Sequence, residues 1–354
     1  MQLKQKLALE FDRVIRGNEK KMHVLKQLFW ECTLRCNLRC LHCGSDCKGS
    51  SIVPDMSKDV FLRVIDEQIT PHVNPIDVLI IISGGEPLMR DDLEEIGGEL
   101  KKRGYRWGMV TNGMLMTQER FDALKNAGLK SVAVSLDGLE GEHNWMRGNA
   151  NSFKNAMRTI NILSSQDDVI WDVVTCVNKR NIDYLPQLKD LLYNSGARKW
   201  RIFTIFPAGR AKDTPELMIS DEQLRYVLDF IVDCKKEGKI QTDYACEGFL
   251  GDYEGKVRDH LYRCFAGINV ASILIDGSIS ACTSIRGKYY QGNIYKDDFW
   301  EVWNNGFKNY RDRGWMKKGK CGDCKMFRYC EGGGMHLRDE QGNLLMCHYE
   351  RIKE

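Results

Sequence analysis

From Val24 onward, short apolar runs rich in β-branched residues alternate with longer stretches whose apolar residues recur at helical spacing. The runs predict strands at Gln27 to Cys32, Asp77 to Ser83, Arg106 to Thr111, Ser131 to Leu136, Val169 to Val177 and Arg198 to Phe206. Between them, stripes such as Val60/Phe61/Val64/Ile65, Leu93/Ile96/Leu100, Phe121/Leu124, Phe153/Ile160/Leu163 and Leu185/Leu188/Leu192 predict helices, with Ser57 and Ser152 as start signals. A last long helix is expected over Leu217 to Lys236, capped by Ser220 with Gln223 three residues on. Repeated strand–helix alternation implies a parallel sheet with right-handed crossovers. The expected fold is therefore α/β, a partial (β/α)6 TIM-like barrel, since six strands leave the closed eight-stranded form incomplete.

The pattern changes after Gly238. The remainder is rich in Gly, Tyr and Cys, with a hairpin expected from Asn269 to Leu274 and Ser278 to Thr283 about Asp276-Gly277. The chain thus divides into a helical extension over residues 1–23, a barrel over 24–240 and a small Cys-rich α+β domain over 241–354. In the extension, Leu7, Phe11 and Ile15 form a stripe expected to pack on the body.

Polar motifs follow the strands. Gly84-Gly85-Glu86-Pro87 comes after the second, Asn112-Gly113 after the third, Asp137-Gly138 after the fourth, Asn178 after the fifth and Pro207-Ala208-Gly209-Arg210 after the sixth. Parallel barrels place their active site at the strands' carboxyl ends, so these motifs should meet at one mouth.

Charge excludes some partners. The net charge is +3 with basic and acidic residues interspersed, which gives no footprint for nucleic acid or an anionic membrane. With no signal-like or membrane-spanning run, the chain reads as cytoplasmic. Fourteen cysteines are many for a reducing compartment, and most cluster in two places, which points to metal.

The first cluster follows the first strand. Cys36, Cys40 and Cys43 form C-x-x-x-C-x-x-C, three thiolates able to hold three corners of an iron–sulfur cube and leave one iron open. A zinc site is the alternative, with His42 or Cys47 completing a tetrahedron.

This stretch resembles the signature of the radical S-adenosylmethionine (SAM) superfamily, with His42 where an aromatic such as Tyr or Phe usually stands. The resemblance implies a 4Fe–4S cluster with an open site, which binds SAM and cleaves it reductively. It also implies that Gly84, Gly85, Glu86 and Pro87 meet the amino group of SAM, and that Ser135 and Asp137 lie near its ribose and methionine part. Arg147, in His143-Asn144-Trp145-Met146-Arg147-Gly148, would meet its carboxylate, and Asn112, by its place at a strand's carboxyl end, is expected as a further cofactor contact.

The carboxyl-terminal cysteines resemble the SPASM subfamily. Cys321, Cys324, Cys330 and Cys347 match its second auxiliary iron–sulfur cluster, and Cys264 with Cys282 matches the opening of its first. Gly334 departs from the pattern, which carries a cysteine there, so the first cluster lacks an obvious completion; Cys246 is the nearest spare thiol. A zinc knuckle is the structural alternative.

The resemblance implies a radical SAM maturase that takes hydrogen from a peptide or protein substrate, fed by an external electron donor such as flavodoxin or ferredoxin. A tetrapyrrole side-chain modifier is the second reading, and a non-catalytic iron–sulfur or zinc scaffold the third. No residue is singled out as a general base.

Overall fold

The structure is a computed structural model that describes residues 3–285 and 287–353. Residues 1, 2, 286 and 354, within the expected first and last segments, lie outside the described residues. Seven strands run parallel and in chain order: β1 (Gln27–Thr33), β2 (Leu79–Gly84), β3 (Arg106–Thr111), β4 (Leu129–Ser135), β5 (Ile170–Val177), β6 (Lys199–Thr204) and β7 (Gln241–Tyr244). Ile80, Ile81 and Ile82 of β2 are buried in succession, as a strand covered on both faces requires.

A helix precedes the sheet, α1 (Leu3–Met22). The crossovers carry α2 (Lys58–Val64), α3 (Leu93–Lys102), α4 (Gln118–Asn126), α5 (Glu140–Arg147), α6 (Ser152–Ser164), α7 (Leu185–Asn194) and α8 (Asp221–Glu237). Their apolar stripes, including Phe61, Ile96, Phe121, Ile160, Leu188 and Leu228, join the strands in one core. Ser57 caps α2 by accepting from Asp59 N, and Ser220 with Gln223 forms a capping box at α8. Ser152 is the first helical residue of α6 instead of its cap; its Oγ donates to Asn144 Oδ1 and Asn149 O.

The sheet continues past residue 240. β7 pairs with β6, and β8 (Val270–Ile273) pairs parallel with the free side of β1, Gln27 opposite Val270 and Trp30 opposite Ile273. β9 (Ser278–Ser280) returns antiparallel to β8 across the expected turn, with Gly277 at φ +82°, and β10 (Gly292–Asn293) pairs with β9. Then comes α9 (Phe299–Asn305), whose Trp303 Nε1 donates to His23 O at 3.0 Å.

The α1 helix forms, yet it docks by another face. Leu7 and Phe11 are 62% and 70% exposed, whereas Leu9, Asp12 and Arg16 are buried. Arg16 Nη1 donates to Tyr329 O at 2.6 Å, Arg263 pairs with Asp12, and Lys20 pairs with Glu331 at 2.6 Å. The inward face is an ion-pair network, which apolar periodicity does not reveal. No helix among the described residues is long and apolar enough to cross a membrane.

Candidate functional site

The loop after β1 is held from several sides. Gly85 N donates to Thr33 O at 2.7 Å and Glu86 N to Arg35 O at 2.9 Å, so the end of β2 lies flat against the loop. Only glycine permits this approach, because a Cβ at Gly85 would stand 2.1 Å from Arg35 O. Cys36 N donates to Lys48 O, and Leu41 N to Met146 O at the end of α5. Arg210 grips the far side: its Nε donates to Cys40 O at 2.7 Å and its Nη1 to Cys47 O at 2.8 Å. The Pro207-Ala208-Gly209-Arg210 segment therefore serves the cysteine loop directly.

A cavity of about 360 Å³ opens at the carboxyl ends of the strands. Cys36, Cys40 and Cys43 line it together with Gly84, Gly85, Asn112, Ser135 and Arg147. Glu86 lies behind this wall at 1% exposure, its carboxylate accepting from Thr111 Oγ1, Asn112 N and Leu88 N. Burial raises its pKa against those three donors. Pro87 is buried beside it, and Asp137 sits behind Arg147. Asn178 turns away to cap its own loop, accepting from Arg180 N.

Charge in the wall is paired. Arg147 Nε donates to Asp137 Oδ2 at 2.7 Å while its Nη1 reaches Cys40 Sγ at 3.7 Å. Burial opposes ionisation of Asp137, but Arg147 holds its pKa down at about 2. His143 Nδ1 accepts from Asp137 N at 2.9 Å; burial, then Arg147, pushes its pKa down to about 3, which keeps it neutral. His42 is likewise pushed down to about 4 by burial, with Nε2 3.8 Å from Asp137.

The loop sulfurs have donors. Asn112 Nδ2 lies 3.8 Å from Cys36 Sγ, and the Cys47 thiol, donating to Cys43, holds Cys43 at about 5, in the thiolate form that binds metal. Among the described residues, the one set of three such ligand atoms within 4.8 Å of one another is His42, Asp137 and Cys176. Cys36, Cys40 and Cys43 are therefore not all gathered within 4.8 Å of one another, as three ligands of one tetrahedral zinc would be, and three thiolates suit a cluster with bridging sulfides. Ser83 Oγ and His42 Nδ1, on residues lining the cavity, are buried without a partner, as a polar ligand there requires.

The carboxyl-terminal thiols gather in two groups. Burial pushes Cys330 up to about 12, with Cys347, Cys321 and Cys324 adding to the effect as neighbours. Arg338 Nη2 donates to Cys321 Sγ at 3.5 Å. Cys264 and Cys282 form the second group, near Tyr310 and Cys246, with Cys264 lining a small cavity together with Cys330 of the first. Motif reading passes over Glu31, Ser83, Cys176, Phe206, Thr283 and Ser284, which also line the cavity. Their one signal is position at the carboxyl end of a strand or just beyond it.

Comparison with known proteins adds identity to this geometry. The model of the radical SAM superfamily matches residues 30–192, and that of an iron–sulfur cluster-binding domain, SPASM, matches residues 264–325. An AdoMet-dependent heme synthase of Methanosarcina barkeri is 30% identical over 321 residues, covering 86% of this chain and 89% of that one. A mycofactocin maturase of Mycolicibacterium smegmatis is 29% identical over 328 residues, 91% of this chain and 81% of that one. Native anSMEcpe, solved with bound AdoMet and Kp18Cys peptide, superposes with a TM-score of 0.70 at 19% identity, over 92% of this chain and 94% of that one. The cofactors are accordingly a 4Fe–4S cluster, SAM and auxiliary iron–sulfur clusters. The chain belongs to the radical SAM superfamily, among the members that carry a SPASM domain.

Proposed function

We propose that this enzyme removes a hydrogen atom from a peptide or protein substrate at the barrel mouth. When bound, cluster and SAM supply a 5′-deoxyadenosyl radical for that step. Cys36, Cys40 and Cys43 would hold the cluster, Gly84, Gly85, Asn112, Ser135 and Arg147 would seat SAM, and Glu86 and Asp137 would fix those contacts from behind. Cys321, Cys324, Cys330 and Cys347 would hold an auxiliary cluster. Residues 24–240 would then be the catalytic unit and 241–354 the auxiliary domain, with an external donor such as flavodoxin or ferredoxin supplying the electron.

The observation that carries the reading is the convergence of three loop thiols, a glycine strand end and Arg147 on one cavity. Its wall favours a peptide. Ser83, Thr283 and Ser284 offer hydroxyls suited to amides. Of the two arginines that line it, Arg147 would already be committed to SAM and Arg210 holds Cys40 O and Asp46, which leaves neither to pair the carboxylates of a porphyrin. The tetrapyrrole reading is supported by relatives named heme synthase at 28–30% identity.

Anaerobic, reconstituted enzyme with dithionite and SAM tests the class, and release of 5′-deoxyadenosine is the expected result. Zinc without iron or sulfide would return the chain to a scaffold. Incubation with short Cys- or Gly-rich peptides encoded beside the gene, against a propionate-bearing iron porphyrin, separates the substrates by which one changes mass.

A further inference from the structure

Residues 317–328 carry five Lys and Arg against a single Asp, in a chain whose totals are 52 basic and 49 acidic residues. Lys317, Lys318, Lys320, Lys325 and Arg328 are all exposed. Arg328 pairs with Glu10 at 2.6 Å and Lys318 Nζ donates to Gln341 O at 3.3 Å, whereas Lys317 and Lys325 enter no ion pair among the described residues. The thiolates do not account for these lysines. Their charge is met from inside by the buried Arg338, which donates to Cys321 Sγ at 3.5 Å, while the lysines face solvent. Cys324, half-buried in the middle of the run, is the thiol they flank, and Met326 and Phe327, also half-buried, put apolar surface beside it. An apolar centre inside a charged rim is the build of a protein-binding surface, and small interfaces steered by opposite charge serve electron-transfer encounters.

We propose that the exposed lysines about Cys324 form the docking surface for an acidic electron-carrier protein, which delivers its electron through the auxiliary group of Cys321, Cys324, Cys330 and Cys347 and not directly at the cysteine loop. The loop offers a carrier little surface, since Cys36 and Cys40 are 8% and 7% exposed inside the catalytic cavity. From the lysine face the way inward is continuous. Cys330 and Cys264 line one small cavity, Cys264 and Cys282 lie near Tyr310, and Thr283 and Ser284, next along the chain from Cys282, line the catalytic cavity. One electron leaves the reduced carrier and is consumed in the reductive cleavage of SAM, so the carrier departs oxidised by one electron. The proposal rests on the radical SAM reading above, names the place where its electron donor binds, and is independent of the substrate.

The test uses the full chain, reconstituted anaerobically, with an acidic flavodoxin and an acidic ferredoxin as carriers. Binding is read by fluorescence anisotropy of the labelled carrier, and the parent's affinity should fall as salt rises. Lys317→Glu/Lys320→Glu/Lys325→Glu should weaken binding, and slow 5′-deoxyadenosine release driven by the reduced carrier, by roughly tenfold or more at low salt. Its iron content and its release with dithionite should stay at the parent's level. Lys317→Arg/Lys320→Arg/Lys325→Arg should match the parent throughout. So should Lys102→Glu/Lys236→Glu/Lys239→Glu, the same change of charge at exposed lysines elsewhere. Carrier binding and carrier-driven release at the parent's level in the first triple variant overturn the surface, whatever else that face binds, and so does equal slowing with dithionite. Should that variant hold less iron, Lys317→Glu and Lys325→Glu singly decide by the same contrast between carrier and dithionite. If the parent releases 5′-deoxyadenosine with dithionite yet binds neither carrier, only this proposal fails; if it releases none with dithionite, the radical-enzyme reading fails with it.

Discussion

Arg147 Nε lies 2.7 Å from Asp137 Oδ2, and the same guanidinium reaches toward Cys40 Sγ. One buried ion pair thus joins the end of β4 to the cysteine loop through α5. Removing the carboxylate leaves a buried cation without its partner, which costs about 3–5 kcal/mol. Asp137→Ala should show that loss in urea denaturation, while Asp137→Glu should recover part of it.

Acid should weaken the same region through His143. Its pKa is lowered from 6.5 to about 3, so between those values the unfolded chain takes a proton that the folded one refuses. Stability is full above about pH 6.5 and declines as pH falls toward 3, by up to about 1.4 kcal/mol per unit from this residue. Urea midpoints at pH 7, 6, 5 and 4 should fall less steeply in His143→Gln.

Gly85→Ala should disrupt the cysteine loop, because the added methyl meets Arg35 O at 2.1 Å. Iron content after reconstitution is the readout, with a loss of most of the iron held by the loop expected. Gly98→Ala in α3 is the contrast. A Cβ there meets nothing within 4 Å, and alanine should add about 0.5–1 kcal/mol to helix stability with iron unchanged.

Replacement of Cys40 with Ala should abolish 5′-deoxyadenosine release. Replacement of Cys324 should spare release with dithionite but stop substrate turnover. Product analysis by chromatography reads both, and equal release from the two variants would contradict the division of labour between the two sites.

The docking of α1 offers a surface test. Phe11→Ser should change stability by no more than about 0.5 kcal/mol, since the ring faces solvent. Asp12→Ala should cost about 1–3 kcal/mol, since Arg16 keeps Tyr329 O and Arg263 keeps Glu19 but both lose their shared buried carboxylate, and thermal melts distinguish the two outcomes.

These contrasts mark what the amino acids declare by themselves. β2 is legible because an interior parallel strand reads as an unbroken apolar run. β7 is not, because Gln241-Thr242-Asp243-Tyr244 carries only one large apolar side chain and reads as loop. Thiol spacing and paired glycines expose the cysteine loop, since that chemistry is local. Glu86 facing backwards and Cys176 lining the cavity depend on where strands from distant parts of the chain meet. The α1 face misleads for a related reason: Asp12 and Arg16 are buried by partners hundreds of positions away.

Pairing of β1 with β8 carries a consequence for biosynthesis. The strand that leads into the thiol loop keeps one raw edge until Val270 to Ile273 emerges from the ribosome, long after β2 has sealed the other. An exposed edge invites pairing with other chains. The nascent enzyme is therefore most prone to aggregate while its leading half looks finished.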